Sequence, residues 1–232
     1  MNQTLQPVFA GRTASVDVVA QRNRVLRNTY WLLALSMIPT VLGAWIGVAT
    51  GIATAMTPGI SMVVFLVGAF GLMFAIERTK NSAAGVPVLL GFTFFMGLML
   101  SRLIDAVLGL GNGAGLIMTA FTGTGLVFLG MATLSTVIKR DLTNMGKWLF
   151  IGCIMLLVAG IANVFIQSGP LMITLAVLAI GIFSLFILHD LKRVRDGEET
   201  NYITATLGVY LSLFNVFQSL LALLGIFGGN ND

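Results

Sequence analysis

Seven apolar runs, each about twenty residues long, set the terms on which this chain can fold. They lie approximately at Thr29–Ala49, Gly59–Ile76, Gly85–Leu103, Gly115–Ile138, Trp148–Ile166, Leu171–Leu188 and Tyr202–Phe227. A helix needs roughly 20 such residues to cross the hydrocarbon core of a bilayer, whereas barrel strands are about 10 residues long and alternate in polarity. The breaks between runs carry turn chemistry: Thr57-Pro58-Gly59, Glu77-Arg78-Thr79-Lys80-Asn81, the glycine-rich stretch 109–115, Lys139-Arg140-Asp141, Ser168-Gly169-Pro170, and the polar stretch from His189 to Asn201. The expected fold class is therefore an all-α membrane protein with seven transmembrane helices.

Composition closes off the alternatives. Only 9% of the 232 residues are charged and 57% are hydrophobic, whereas a soluble domain carries roughly a quarter charged residues. A soluble enzyme and a disordered chain are both excluded. The net charge of +4 forms no basic patch interleaved with aromatics, so no nucleic-acid partner is expected. Three parts follow: a polar tail, 1–28, without a signal-peptide core; a transmembrane domain, 29–227; and a short tail, 228–232.

The thirteen basic residues orient the bundle. Seven crossings put Arg12, Arg22, Arg24 and Arg27, then Arg78 and Lys80, then Lys139, Arg140 and Lys147, then Lys192, Arg193 and Arg195 on one side, leaving only Arg102 on the other. Basic residues accumulate on the cytoplasmic side, so this twelve-to-one split predicts an amino terminus inside and a carboxyl terminus outside.

Motifs for catalysis are missing. His189 is the sole histidine and Cys153 the sole cysteine, so neither an HExxH zinc site nor an internal disulfide can be assembled. No GxSxG elbow occurs, no lysine lies within a span, and Gly-Asn-Gly-Ala-Gly at 111–115 lacks the ending of a phosphate loop. No cofactor and no enzymatic activity are expected.

Polar groups at membrane depth are costly, which makes them functional candidates. Asp190 ends span six beside His189: it is either a titratable gate at a cytoplasmic mouth or a solvated helix-end group paired with Lys192 and Arg193. In span seven, Gly208, Ser212, Asn215 and Ser219 are spaced by four, three and four residues and share a face. That stripe lines a pathway or bonds neighbouring helices; either way span seven is expected inside the bundle, with Tyr210 and Gln218 on other faces. Arg102 and Asp105 are expected to pair at the outer interface or to guard a vestibule, and Glu77 with Arg78 to anchor the end of span two. Asn163 and Gln167, four apart on span five, could contact that stripe, but structural bonds are the expected role. Gly43, Gly47 and Gly51 permit close helix approach, and Pro39 is expected to kink span one.

Two segments resemble the Bax inhibitor family. One is Val25-Leu26-Arg27-Asn28-Thr29-Tyr30-Trp31-Leu32-Leu33, entering span one. The other is Gly197-Glu198-Glu199-Thr200-Asn201-Tyr202-Ile203-Thr204-Ala205-Thr206 with Val209-Tyr210-Leu211-Ser212-Leu213-Phe214-Asn215-Val216-Phe217. The combination is similar to the bacterial branch that modulates the FtsH protease, and the seven-span pattern covers nearly the whole chain. The resemblance implies six helices around a central seventh in the bacterial inner membrane, and either of two activities. Members of the bacterial branch associate with FtsH, a membrane-anchored AAA+ protease, and restrain its action on membrane proteins. Other members behave as pH-sensitive calcium leaks using acids on spans six and seven. Asp190 matches the first acid, but Ser212 stands where the second follows Tyr-Leu, so a hard cation would lose one anionic ligand. That departure favours the protease modulator, with the tail serving as an unfolded handle for the protease.

Overall fold

The computed structural model describes residues 7–52 and 54–228. The end tail of 229–232 and residues 1–6 lie outside them. Among the described residues there are seven helices and no strand: α1 (Pro7–Thr50), α2 (Pro58–Thr79), α3 (Gly85–Leu108), α4 (Gly113–Val137), α5 (Thr143–Ile166), α6 (Gly169–Asp196) and α7 (Tyr202–Gly228). Each is long and apolar enough to cross a membrane.

Helix ends fall where the local chemistry predicts. The Thr57 hydroxyl accepts from the Ile60 amide 3.4 Å away, with Pro58 in the first turn of α2. Ser168 caps α6 in the same way through Leu171. Gln167, with φ 54°, ends α5 with its backbone amide donating to Asn163 O, and Asn163 Oδ1 accepts from the Ser168 amide at 3.0 Å, the structural bond expected at Asn163. Gly197, with φ 85°, closes α6 in the left-handed conformation that favours glycine.

Two helices run past their apolar limits. Helix α1 begins at Pro7, far before the expected start at Thr29, so residues 7–28 continue the helix instead of forming an unfolded handle. It also continues through Pro39 as one helix. Helix α6 extends to Asp196, so His189 and Asp190 do not end the span; almost two further turns follow them. Hydropathy marks where a helix meets lipid, while the helix itself stops only where backbone bonding stops.

The tightest seam joins α1 and α3. A Cβ added at Gly97 would lie 2.0 Å from the Thr40 carbonyl oxygen, and one at Gly43 would lie 2.2 Å from that of Phe94. At Gly47 it would meet the Ser101 side chain at 2.4 Å. Backbones can approach this closely only where both helices present small residues. The expectation holds for Gly43 and Gly47; Gly51 lies just past the helix, with φ 64°.

Helix α7 packs against α6, α4, α1, α3 and α2, and α5 packs against α6. In its most apolar stretch α7 is 44% buried, against 6% for α5. Phe92, Leu89, Met96, Ile76, Ile187 and Tyr210 fill the principal core.

Candidate functional site around Asp190

Asp190 sits on α6 with its side chain 18% exposed, and His189 Nδ1 lies 3.2 Å from its Oδ1. Glycines on the two flanking helices make room for the pair. An added Cβ at Gly208 of α7 would be 2.8 Å from Asp190 Oδ2, and one at Gly146 of α5 would be 2.7 Å from His189 Nε2. The carboxylate therefore lies against the α7 backbone and the imidazole against that of α5. Lys192, expected as a possible partner of Asp190, is buried and pairs instead with Asp196 one turn on; Arg193 pairs with Glu198 at 3.6 Å.

On α7, Thr204, Gly208 and Ser212 follow at intervals of four and so share the face that meets Asp190. Ser212 is buried, yet its hydroxyl donates to the Gly208 carbonyl of its own helix at 3.0 Å. Asn215 is half-buried and donates from Nδ2 to the Leu211 carbonyl at 2.8 Å. The pathway-or-glue stripe is thus corrected in part: at these two positions the polar groups bond within α7 and do not reach a neighbouring helix. Ser219 is half-buried and Gln218 exposed. Thr204 Oγ1, one turn before Gly208, is buried without a hydrogen-bond partner among the described residues.

Interhelical bonds come from residues that face periodicity assigned elsewhere. The Tyr210 hydroxyl, nearly fully buried, lies 2.9 Å from Thr40 Oγ1 on α1 and donates to the Thr93 carbonyl of α3 at 3.4 Å. Thr206 Oγ1 reaches the Thr29 carbonyl at 3.4 Å while donating to Tyr202 O at 2.7 Å. Asn201 performs two tasks: its Oδ1 accepts from the Ile203 and Thr204 amides, and its Nδ2 donates to Lys80 O and Asn81 Oδ1. It caps α7 and ties that cap to the α2–α3 connector. A tyrosine between apolar neighbours and an asparagine before an apolar run were the available signals.

The remaining candidates do not join this site. Arg102 makes no ion pair with Asp105; its Nη1 donates to the Met56 carbonyl at 3.0 Å, pinning the α1–α2 connector, while Asp105 is exposed. Glu77 pairs with Lys80, and Arg78 lies 5.0 Å from the Phe74 ring centroid. Among the described residues, no three His, Cys, Asp or Glu side chains converge on a common point.

Comparison with known proteins places the whole bundle in context. The family model described as "Inhibitor of apoptosis-promoting Bax1" matches residues 22–229. An "Uncharacterized membrane protein" of Vibrio cholerae is 36% identical over 226 residues, covering 97% of this chain and 99% of the relative. The "Modulator of FtsH protease YccA" of Escherichia coli is 35% identical over 203 residues, covering 88% of this chain and 90% of the relative. An uncharacterized protein of Pseudomonas aeruginosa is 34% identical over 207 residues, 89% and 91% of the two chains.

Proposed function

Given that this inner-membrane chain belongs to the Bax inhibitor family, we propose that it is a regulatory partner of an FtsH-type membrane protease, restraining that enzyme by occupying it. The observation that carries the choice between the family's activities is Ser212. A neutral side chain, bonded to its own helix, stands one turn beyond Gly208, where a second carboxylate would be needed to share a proton or a cation with Asp190. The name of the Escherichia coli relative supports the same reading.

Restraint by occupancy has a physical basis in the bundle. Extraction would expose seven apolar helices to water, each with a backbone that lipid had required to be internally bonded. A protease pulling from the amino-terminal end meets α1 first, and α1 is the helix seated on α3 through Gly43, Gly47 and Gly97 and joined to α7 through Thr40. This topology has the amino terminus inside, which the twelve-to-one distribution of basic residues supports, and six helices around α7, which the burial of α7 supports.

Co-purification from native membranes tests the reading: the protease is expected with the wild-type chain and with Asp190→Asn. Deleting residues 2–20 is expected to slow turnover while leaving association intact. Absence of the protease from the purified complex would refute the proposal.

One observation favours a second reading, a cation leak: the Asp190 carboxylate lies at the α6–α7 contact against Gly208, with the neighbouring His189 ring against Gly146 of α5. In liposomes, that reading requires a pH-dependent calcium flux that Asp190→Asn abolishes; unchanged flux removes the residue from any such pathway.

A further inference from the structure

Along α1, Arg24, Asn28, Trp31 and Leu35 recur at intervals of four, three and four and lie on one face, with Arg27 one turn before Trp31. Arg24 and Arg27 are exposed, and Trp31 is 73% exposed. Beside this face lies a shallow, open groove of about 340 Å³, lined by Asn28, Trp31, Leu32, Leu35 and Tyr202 of α7. Along α1 the polarity runs in one direction, from Arg24 and Arg27 just outside the groove lining, through Asn28 and Trp31, to Leu32 and Leu35. At a rise of about 1.5 Å per residue, Arg27 stands about 7.5 Å and Arg24 about 12 Å from Leu32 along α1, so the charged end lies at and beyond headgroup depth when the leucines lie in the acyl region. The five ion pairs found among the described residues leave both arginines without a carboxylate partner.

We propose that this groove binds one anionic phospholipid of the surrounding bilayer. Arg24 and Arg27 take the phosphate, since guanidinium forms paired, charge-assisted hydrogen bonds with its oxygens. Trp31, Asn28 and the Tyr202 hydroxyl lie at the level of the glycerol and ester groups, where amphipathic rings are enriched. An acyl chain runs along Leu32 and Leu35. A peptide partner would meet the same leucines but would leave the two guanidinium groups uncompensated unless it carried matched acids, whereas an anionic lipid supplies both ends at once.

The chain holds three tryptophans, so Trp45→Phe with Trp148→Phe leaves Trp31 as sole fluorophore. This protein is reconstituted into vesicles of phosphatidylglycerol and phosphatidylcholine, with bromine on the acyl chains of one lipid at a time. Brominated phosphatidylglycerol is expected to quench Trp31 in preference to brominated phosphatidylcholine, by roughly five-fold in relative affinity for each arginine. Arg24→Gln with Arg27→Gln removes the preference, Arg24→Lys with Arg27→Lys retains most of it, and Lys139→Gln with Arg140→Gln leaves it unchanged. Equal quenching by the two lipids overturns the proposal, as does an equal loss from the Lys139 and Arg140 changes. Shielding of Trp31 from both lipids also overturns it, because a second copy or another protein would then fill the groove.

Discussion

Replacing Gly97 with alanine adds one methyl group, and the structure allows it no room. The new Cβ would lie 2.0 Å from the Thr40 carbonyl oxygen, 2.9 Å from its carbon and 3.0 Å from the Ala44 amide nitrogen. All three are backbone atoms, so no side-chain rotation relieves the clash. Carbon and oxygen ordinarily meet at about 3.3 Å, which requires α1 and α3 to part by roughly 1.3 Å. A gap of 0.5–1 Å already forfeits about a quarter to a half of a van der Waals contact, and the loss falls along a seam that includes Gly43 and Gly47. Overpacking of this kind costs about 1–3 kcal/mol, and displacing Thr40 from the Tyr210 hydroxyl adds up to about 1 kcal/mol. The helix propensity gained by replacing glycine returns only about 0.5–1 kcal/mol. A net loss of about 2 kcal/mol shifts the unfolding equilibrium roughly 30-fold. Gly91, on the same helix, has nothing within 4 Å of an added Cβ, so Gly91→Ala is expected to be neutral or slightly stabilising. Titration with dodecyl sulfate in mixed micelles, followed by tryptophan fluorescence, measures both variants. If the two unfold at the same detergent fraction, the close approach of α1 and α3 is wrong.

Tyr210→Phe is expected to cost about 1 kcal/mol in the same assay, with non-additivity against Thr40→Ala of about 0.6 kcal/mol, whereas Ser212→Ala changes little because its bond lies within α7. Asn201→Ala, which removes both the α7 cap and the tie to Lys80 and Asn81, should lose about 1 kcal/mol or more and speed hydrogen exchange in the first turn of α7. A reporter active only outside the cytoplasm, fused after Asp232, is expected to be active; the same reporter on the amino terminus is expected to be silent, and activity at both ends would contradict an odd number of crossings.

Apolar length and loop punctuation made the seven crossings readable because lipid imposes both on any chain that spans it. Helix ends on the polar side were less legible: nothing in hydropathy distinguishes a charged helical stretch such as 7–28 or 189–196 from a loop. Face periodicity located the stripe on α7 but misread its bonding, since a serine or asparagine in a helix has its own i−4 carbonyl within reach before any neighbour. Tyr210 was placed on another face but its interhelical role was not legible, because one hydroxyl among apolar residues gives no periodic signal and its partners stand 170 and 117 residues away in sequence. The Arg102–Asp105 pair failed for a related reason, because the Met56 carbonyl offers an acceptor that spacing along one helix cannot reveal.

Helix α5 leans on α6 like a spoke on a rim, and most of its remaining surface is left to lipid. A bilayer that thins or thickens acts on such a spoke chiefly by tipping it. Near the end that starts at Thr143, the tip of the His189 ring rests on Gly146, one residue away in sequence from the carboxylate that presses on α7. Rocking of α5 would therefore bear, through a single imidazole ring, on the turn of α6 whose next side chain lies against α7.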